Sequence, residues 1–214
     1  MNLTLFGANG AIGAQVAQFA LQAGHQVTAY IRQEGALNIQ HANLQIIVGQ
    51  YNETVKIDEA IQQSDVVIST LGPTLSMSRK VEALPITTAH QAIISSMERL
   101  GKKRFITLGT PSIQAQEDTK QIVTVVPGMM AKLLYPTGYQ EMQGIGKLLT
   151  GSSLDWTVIR IINPNVKSDG SGYAISFGST KGKMGVSRAN VARCMIEATA
   201  KDEWIHKMPI VFNR

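Results

Sequence analysis

Gly7-Ala8-Asn9-Gly10-Ala11-Ile12-Gly13 follows directly on an apolar run at residues 3–6 and opens a stretch in which Ile12, Val16, Phe19, Ala20 and Ala23 recur at steps of three and four. A buried strand, a glycine turn and an amphipathic helix, in that order, make the first unit of a parallel sheet. Gly24 supplies the left-handed stop for the helix. Glycine in such a turn permits a tight bend, lets main chain approach a ligand and brings helix close to strand. The helix mouth adds N–H donors and the positive end of a dipole. The pattern predicts that a dinucleotide's diphosphate lies on Gly7, Asn9, Gly10, Ala11, Ile12 and Gly13. The spacing is GxxGxxG rather than GxGxxG, and a turn without ligand is the reading the motif alone leaves open.

Beyond this unit, strand-like runs recur at 26–31, 44–48, 65–70, 104–108 and 156–161, with helical patterns between them. Ile86, Ala89, Ile93, Met97 and Leu100 mark a helix ending at Gly101, with Pro85 tolerated in its first turn. Further helices are expected at 58–63, 137–150 and 187–200. Ser187 is an N-cap for the last, and Gly138, Gly144 and Gly146 weaken the middle one. Alternation of this kind predicts an α/β fold of the Rossmann type: a doubly wound, mainly parallel sheet with helices on both faces, in one domain spanning 1–214. The irregular stretch 111–136 joins a polar part (114–121) to an apolar one (123–134, with Met129 and Met130). It reads equally as a wall or lid for a substrate and as a helix packed on the body or on a partner subunit.

The end of the second strand distinguishes the two nicotinamide dinucleotides, because an acid there holds a ribose hydroxyl and an arginine suits a 2′-phosphate. Here the strand ends Tyr30-Ile31-Arg32, which favours NADP(H), while Glu34 keeps NAD(H) open. Gln50 and Tyr51 follow the third strand, placed either to border adenine or as an ordinary polar turn. Ser69-Thr70-Leu71-Gly72-Pro73 leaves the fourth strand at the crevice where open α/β sheets bind ligands, and backbone at Thr70, Leu71 and Gly72 is placed to line a ribose.

With 44% hydrophobic and 16% charged residues the 214-residue chain is expected to fold around a continuous core. Its net charge of +5 is scattered, which argues against a nucleic-acid partner. The densest cluster, Lys102, Lys103 and Arg104, follows the helix end at Gly101 and reads as a solvated cap. No apolar run reaches membrane-spanning length, and the immediate entry into a strand leaves no room for a secretory leader. Cys194 is the single cysteine and falls within a helix, so a packed thiol in a reducing cytoplasm is expected. Histidines 25, 41, 90 and 206 lack metal-ligand spacing and read as surface or helix residues.

Taken together, these residues resemble the atypical short-chain dehydrogenase/reductases, in particular the NmrA-like group that includes flavin reductase/biliverdin-IXβ reductase. The resemblance rests on the glycine motif, on Tyr30-Ile31-Arg32, on Val67-Ile68-Ser69-Thr70-Leu71-Gly72, on Ser153-Leu154-Asp155-Trp156-Thr157-Val158-Ile159-Arg160, and on Val186-Ser187-Arg188-Ala189-Asn190-Val191-Ala192. It implies a glycine loop over pyrophosphate, Arg32 on the 2′-phosphate, and a nicotinamide beyond the fifth and sixth strands. It places Thr110 near where related enzymes carry a hydroxyl beside substrate, and Asn163, with Pro164, beside the nicotinamide amide. The superfamily's Tyr-x-x-x-Lys pair would fall on Tyr139-Gln140-Glu141-Met142-Gln143, where glutamine replaces lysine and Lys147 lies a further turn away. Thr110 and Tyr139 are thus the catalytic candidates.

Three functions are compatible with this reading. An NAD(P)H-dependent reductase of a small flat redox acceptor, a flavin or quinone, needs orientation above all and tolerates loss of the lysine. A non-catalytic NADP(H) sensor would signal to a protein partner. A nucleotide-sugar epimerase or dehydratase is disfavoured by the short stretch after the sixth strand. The reductase reading is preferred, in a monomer or homodimer.

Overall fold

In the computed structural model, which describes residues 1–73, 83–119, 129–178 and 183–214, β1 (Asn2–Phe6) is buried from Leu3 onward. It pairs in parallel with β2 (Gln26–Ile31) on one side and β4 (Val66–Ser69) on the other. β3 (Leu44–Val48) extends the β2 side, and β5 (Arg104–Gly109) and β6 (Asp155–Arg160) extend the β4 side, all parallel. β8 (Ile210–Asn213) pairs in parallel with β6, and β7 (Tyr173–Ser176) closes that edge antiparallel to β8. The sheet order β3-β2-β1-β4-β5-β6-β8-β7 reverses between β1 and β4, which opens a crevice at their C-terminal ends.

Both faces are covered, so the strands are apolar at consecutive positions and divide their side chains by the two-residue period. Leu5, Ile68, Ile106 and Ile159 face one layer with Val16 and Ala20 of α1 (Gly13–Gln22) and Val191 and Met195 of α5 (Arg188–Glu197). Phe6, Val67, Phe105 and Val158 face the other. There they meet Ile57 of α2 (Thr54–Ile61), Ile93 and Met97 of α3 (Pro85–Arg99), and Ile145 and Leu149 of α4 (Pro136–Thr150). The architecture is the doubly wound one expected.

The departures are local. α2 starts at Thr54, not 58, because the turn at 50–53 already forms with Gln50 N–H on the Glu53 carboxylate at 2.5 Å. The last helical stretch tightens into 3₁₀ turns at Ala198–Ala200 and Asp202–Trp204. β7 and β8 were not foreseen, since runs of four residues carry too little periodicity to read. α4 keeps full length despite its glycines: a Cβ at Gly144 would lie 2.7 Å from Thr87, and one at Gly146 2.9 Å from Ile113, so the missing side chains allow close packing.

The basic cluster is also not all solvated cap. Arg104 is partly buried and donates to Asp155 O (2.8 Å), Thr157 Oγ1 (2.8 Å) and Ala198 O (2.7 Å), tying β5 to β6 and to the turn after α5. Within 111–136, residues 129–134 are helical with Met129, Met130 and Leu133 exposed, whereas 120–128 lie outside the described residues. No helix among the described residues is long and apolar enough to cross a membrane.

Candidate active site

The three glycines of the first turn serve different purposes. Gly7 has φ +83°, a conformation that L-side chains rarely adopt, and it starts the bend. Gly10 closes the turn through its N–H to Gly7 O (3.0 Å) and sits exposed at the tip with Asn9 and Ala11. Gly13 lets α1 press on the turn: a Cβ there would collide with the Gly7 carbonyl, 2.8 Å from its carbon, and lie 2.6 Å from Thr70 Oγ1. The Thr70 hydroxyl is shared between Gly7 O (3.0 Å) and Phe6 O (3.2 Å), so its side chain holds the loop's shape across the crevice. Leu71 packs beside the same turn and Gly72 is exposed.

Every helix leaves donors orphaned at its first turn, and these need partners. α5 is capped by Ser187 Oγ, which accepts from Asn190 N at 3.1 Å. α3 is capped from outside by the buried Glu141 of α4, whose carboxylate accepts from Ile86 N (2.9 Å) and Thr87 N (2.6 Å). α1 has no side-chain cap and no acid in its first turn. Among the described residues, no carbonyl takes up the N–H groups of Asn9, Ala11 or Ile12. An uncapped, acid-free helix mouth fits an anionic group.

Arg32 stands exposed just past β2, without an ion pair among the described residues. Gln50 Nε2 donates to Arg32 O (3.1 Å), and the half-buried Tyr51 stacks at 5.9 Å from Tyr30 and 6.4 Å from Phe6. Burial pushes Tyr51 up to about 12, opposed by the positive charge of Arg32. The nearby acid, Glu53, is engaged with Lys56 at 3.0 Å, and Glu34 is exposed. A guanidinium beside a fixed aromatic ring and lacking a carboxylate partner is suited to a phosphate on an adenosine.

On the other side of the crevice, Thr110 leaves β5 and begins a turn closed by Ile113 N–H on Thr110 O (2.9 Å). Tyr139, half-buried, lies in the first turns of α4, and a Cβ on its neighbour Gly138 would sit 3.5 Å from Pro73 at the exit of β4. Gln143, one turn beyond Tyr139, donates its amide to Ser112 O. The residue at the lysine position therefore ties the Thr110 turn to the helix carrying Tyr139. Asn163 is exposed, with its backbone bridged to Gly185 and its Oδ1 accepting from Asn165 N (3.2 Å).

Sequence reasoning missed two buried polar clusters. Arg160, fully buried at the end of β6, donates to Met208 O (2.8 Å), Ile113 O (3.1 Å) and both oxygens of Asp118 (2.5 and 2.7 Å). His90, read as a surface or helix residue, is on a helix but wholly buried. Its Nδ1 faces Ile86 O (2.8 Å), a carbonyl that can only accept, so Nδ1 carries the proton. Nε2 then accepts from the hydroxyls of Ser69 (3.1 Å) and Thr107 (3.0 Å). Burial lowers His90 to about 4, outweighing the raising effects of the Ile86 carbonyl and Glu141. The folded-state value lies below the unfolded one, so the stabilisation is complete above pH 6.5 and is lost as pH falls toward 4. It amounts to roughly 3 kcal/mol. Urea denaturation across pH 4 to 7 is expected to show this loss in the wild type and a flatter profile in His90→Gln; parallel profiles would rule His90 out as the source.

A family model described as NAD(P)H-binding matches residues 7–202. A search of curated protein sequences finds no match. The fold is similar to that of a short-chain dehydrogenase/reductase from Veillonella parvula DSM 2008 solved in complex with NADP, with TM-score 0.81 and 18% identity over 99% of this chain and 94% of that one. It is similar also to an anaerobilin reductase from Escherichia coli O157:H7, with TM-score 0.75 and 19% identity over 100% and 97% of the two chains. A protein assigned as an NADH-flavin reductase from Streptococcus pneumoniae TIGR4 gives TM-score 0.73 and 20% identity over the whole of both chains. The family match takes in the open helix mouth, the crevice and both of its walls, and by it this chain belongs to the NAD(P)H-binding family.

Proposed function

We propose that this chain is an NADPH-dependent reductase acting on a small, flat, conjugated acceptor such as a flavin or quinone. The observation that carries the proposal is the uncapped, acid-free mouth of α1 above its glycine cradle, with the unmatched Arg32 one strand away. In this reading the N–H groups of Asn9, Ala11 and Ile12 hold the diphosphate on a bend made by Gly7, Gly10 and Gly13. Arg32 holds the 2′-phosphate, with Gln50 and Tyr51 bordering adenine. Main chain at Thr70, Leu71 and Gly72 lines the ribose, and Asn163 borders the nicotinamide amide. The bound nicotinamide supplies a hydride.

The residues facing the acceptor argue for its class. Thr110 and Tyr139 present hydroxyls that orient it, but the lysine that would acidify the tyrosine is replaced by Gln143, whose amide is engaged with Ser112. Reduction of an alcohol-forming carbonyl needs a proton delivered on the spot, whereas a reduced flavin or quinone takes its proton from water. Two fold neighbours, a protein assigned as an NADH-flavin reductase and an anaerobilin reductase, point the same way.

Stopped-flow mixing of the protein with NADPH and a panel of flavins and quinones is expected to show multiple-turnover oxidation of NADPH. Tight NADPH binding with no oxidation by any acceptor would overturn the proposal in favour of a sensor. Arg32→Ala is expected to weaken NADPH about 10- to 50-fold, the weight of a charge-assisted phosphate contact, and NADH less than about 3-fold. Equal weakening, measured by fluorescence titration, would show that Arg32 does not read the 2′-phosphate.

A further inference from the structure

A second cavity, of about 470 Å³, opens on the same edge of the sheet between the first turn of α1 and the start of α5. Gln15 of α1 lines one wall, the loop after β6 contributes Asn165, Lys167 and Asp169, and Arg188 of α5 completes the opposite wall. Its charges do not balance. Asp169 is already matched: Arg193 lies 3.0 Å away, and the Ser187 hydroxyl together with Arg193 holds the carboxyl below its usual range. Among the described residues, Arg188 meets only the neutral Asn165 Oδ1 at 3.2 Å, and Lys167 has no hydrogen bond or ion pair. Gln15 Oε1 is buried with no partner among the described residues. Two uncompensated cations and an orphaned amide oxygen thus share one concave site of small-molecule size.

The dinucleotide's own charges are already placed on the α1 mouth and on the β2 side at Arg32, whereas this cavity borders the loop leaving β6, where the reading above puts the nicotinamide end. We infer that the cavity is an anion subsite that takes a carboxylate or phosphate arm of the acceptor, with Lys167 and Arg188 as its charge partners. This inference rests on the reductase reading and deepens it: the acceptor would carry a negative tail as well as a flat reducible ring. The Gln15 amide suits a tail with hydroxyls as well as charge, since an O–H donor would satisfy the buried Oε1.

Flavin mononucleotide and riboflavin share one ring system and differ by a phosphate, so they isolate the tail. Fluorescence titration of each into protein saturated with NADP⁺ is expected to show flavin mononucleotide bound at least about 10-fold more tightly than riboflavin. In Lys167→Ala/Arg188→Ala, two exposed positions, that preference should fall to about 2-fold or less. Charge reversal in Lys167→Glu/Arg188→Glu should invert it. Riboflavin and NADPH affinities should stay within about 2-fold of wild type throughout. Equal binding of the two flavins by the wild type, or a preference kept in the double variants, overturns the subsite. A drop in NADPH affinity as large as that for flavin mononucleotide also overturns it and assigns the cations to the cofactor's diphosphate. The readout is binding, so a failure of NADPH oxidation would sink the reductase reading separately.

Discussion

Gly13→Ala is expected to weaken NADPH and NADH alike by about 100-fold or more, the largest loss of affinity from any single methyl group in this chain. The added Cβ would collide with the Gly7 carbonyl, 2.8 Å from its carbon, and lie 2.6 Å from Thr70 Oγ1. Neither neighbour is the free end of a flexible side chain. Gly7 O accepts from Gly10 N and from the Thr70 hydroxyl, so a shift at Gly13 passes into the turn and across the crevice to β4. The N–H groups of Asn9, Ala11 and Ile12 would then no longer point at a common anion, and misplacement by an ångström is enough to lose most of a multidentate contact. Isothermal titration with both dinucleotides checks this against Arg32→Ala, which should discriminate between them. If Gly13→Ala binds within about 5-fold of wild type, the turn is not the diphosphate site.

That contrast also shows which parts of the molecule were legible from the chain alone. The cradle, the strands and the helix stop at Gly24 follow rules acting over a few residues: a left-handed bend, a two-residue alternation, a step of three or four. Gly24 has φ +79° and Gly101 φ +67°, as helix ends at those positions require. The buried charges obey no such rule. Glu141 meets the start of α3 from 55 residues away, Arg160 meets Asp118 across 42, and Arg104 reaches Ala198 across 94. Charged residues are usually solvated, so each reads as surface until its partner is known. Arg160 alone carried a hint, as the charged end of a strand otherwise buried on both faces. The proposed acceptor side of the crevice was obscure for the same reason. The Thr110 turn and the helix of Tyr139 are joined by Gln143 on Ser112 and by Gly146 against Ile113, which depend on how α4 packs and not on local sequence.

Arg160→Met is expected to destabilise the protein by about 3–5 kcal/mol, since removing one member of a buried pair strands the other charge. Asp118 is 18% exposed at its side chain and so retains some hydration, which places the loss toward the lower part of that range. The carbonyls of Ile113 and Met208 lose their donor as well. Asp118→Asn added to Arg160→Met should recover at least about 1 kcal/mol, because the double variant buries no lone charge. Urea denaturation of the two single variants and the double variant measures the coupling; simple additivity would mean that the pair does not act as a unit. The consequence reaches the crevice. Arg160 pairs in register with Gly109, one residue before Thr110, and it holds Ile113, which closes the Thr110 turn, and Asp118 further along the same loop. Hydrogen exchange in Arg160→Met should therefore rise first at Ile113, Ala115 and Asp118, whose N–H groups are bonded within that loop, while Gly10 N–H at the glycine cradle keeps its protection. A variant that loosens the cradle equally would show that Arg160 supports the sheet as a whole and not the loop after β5.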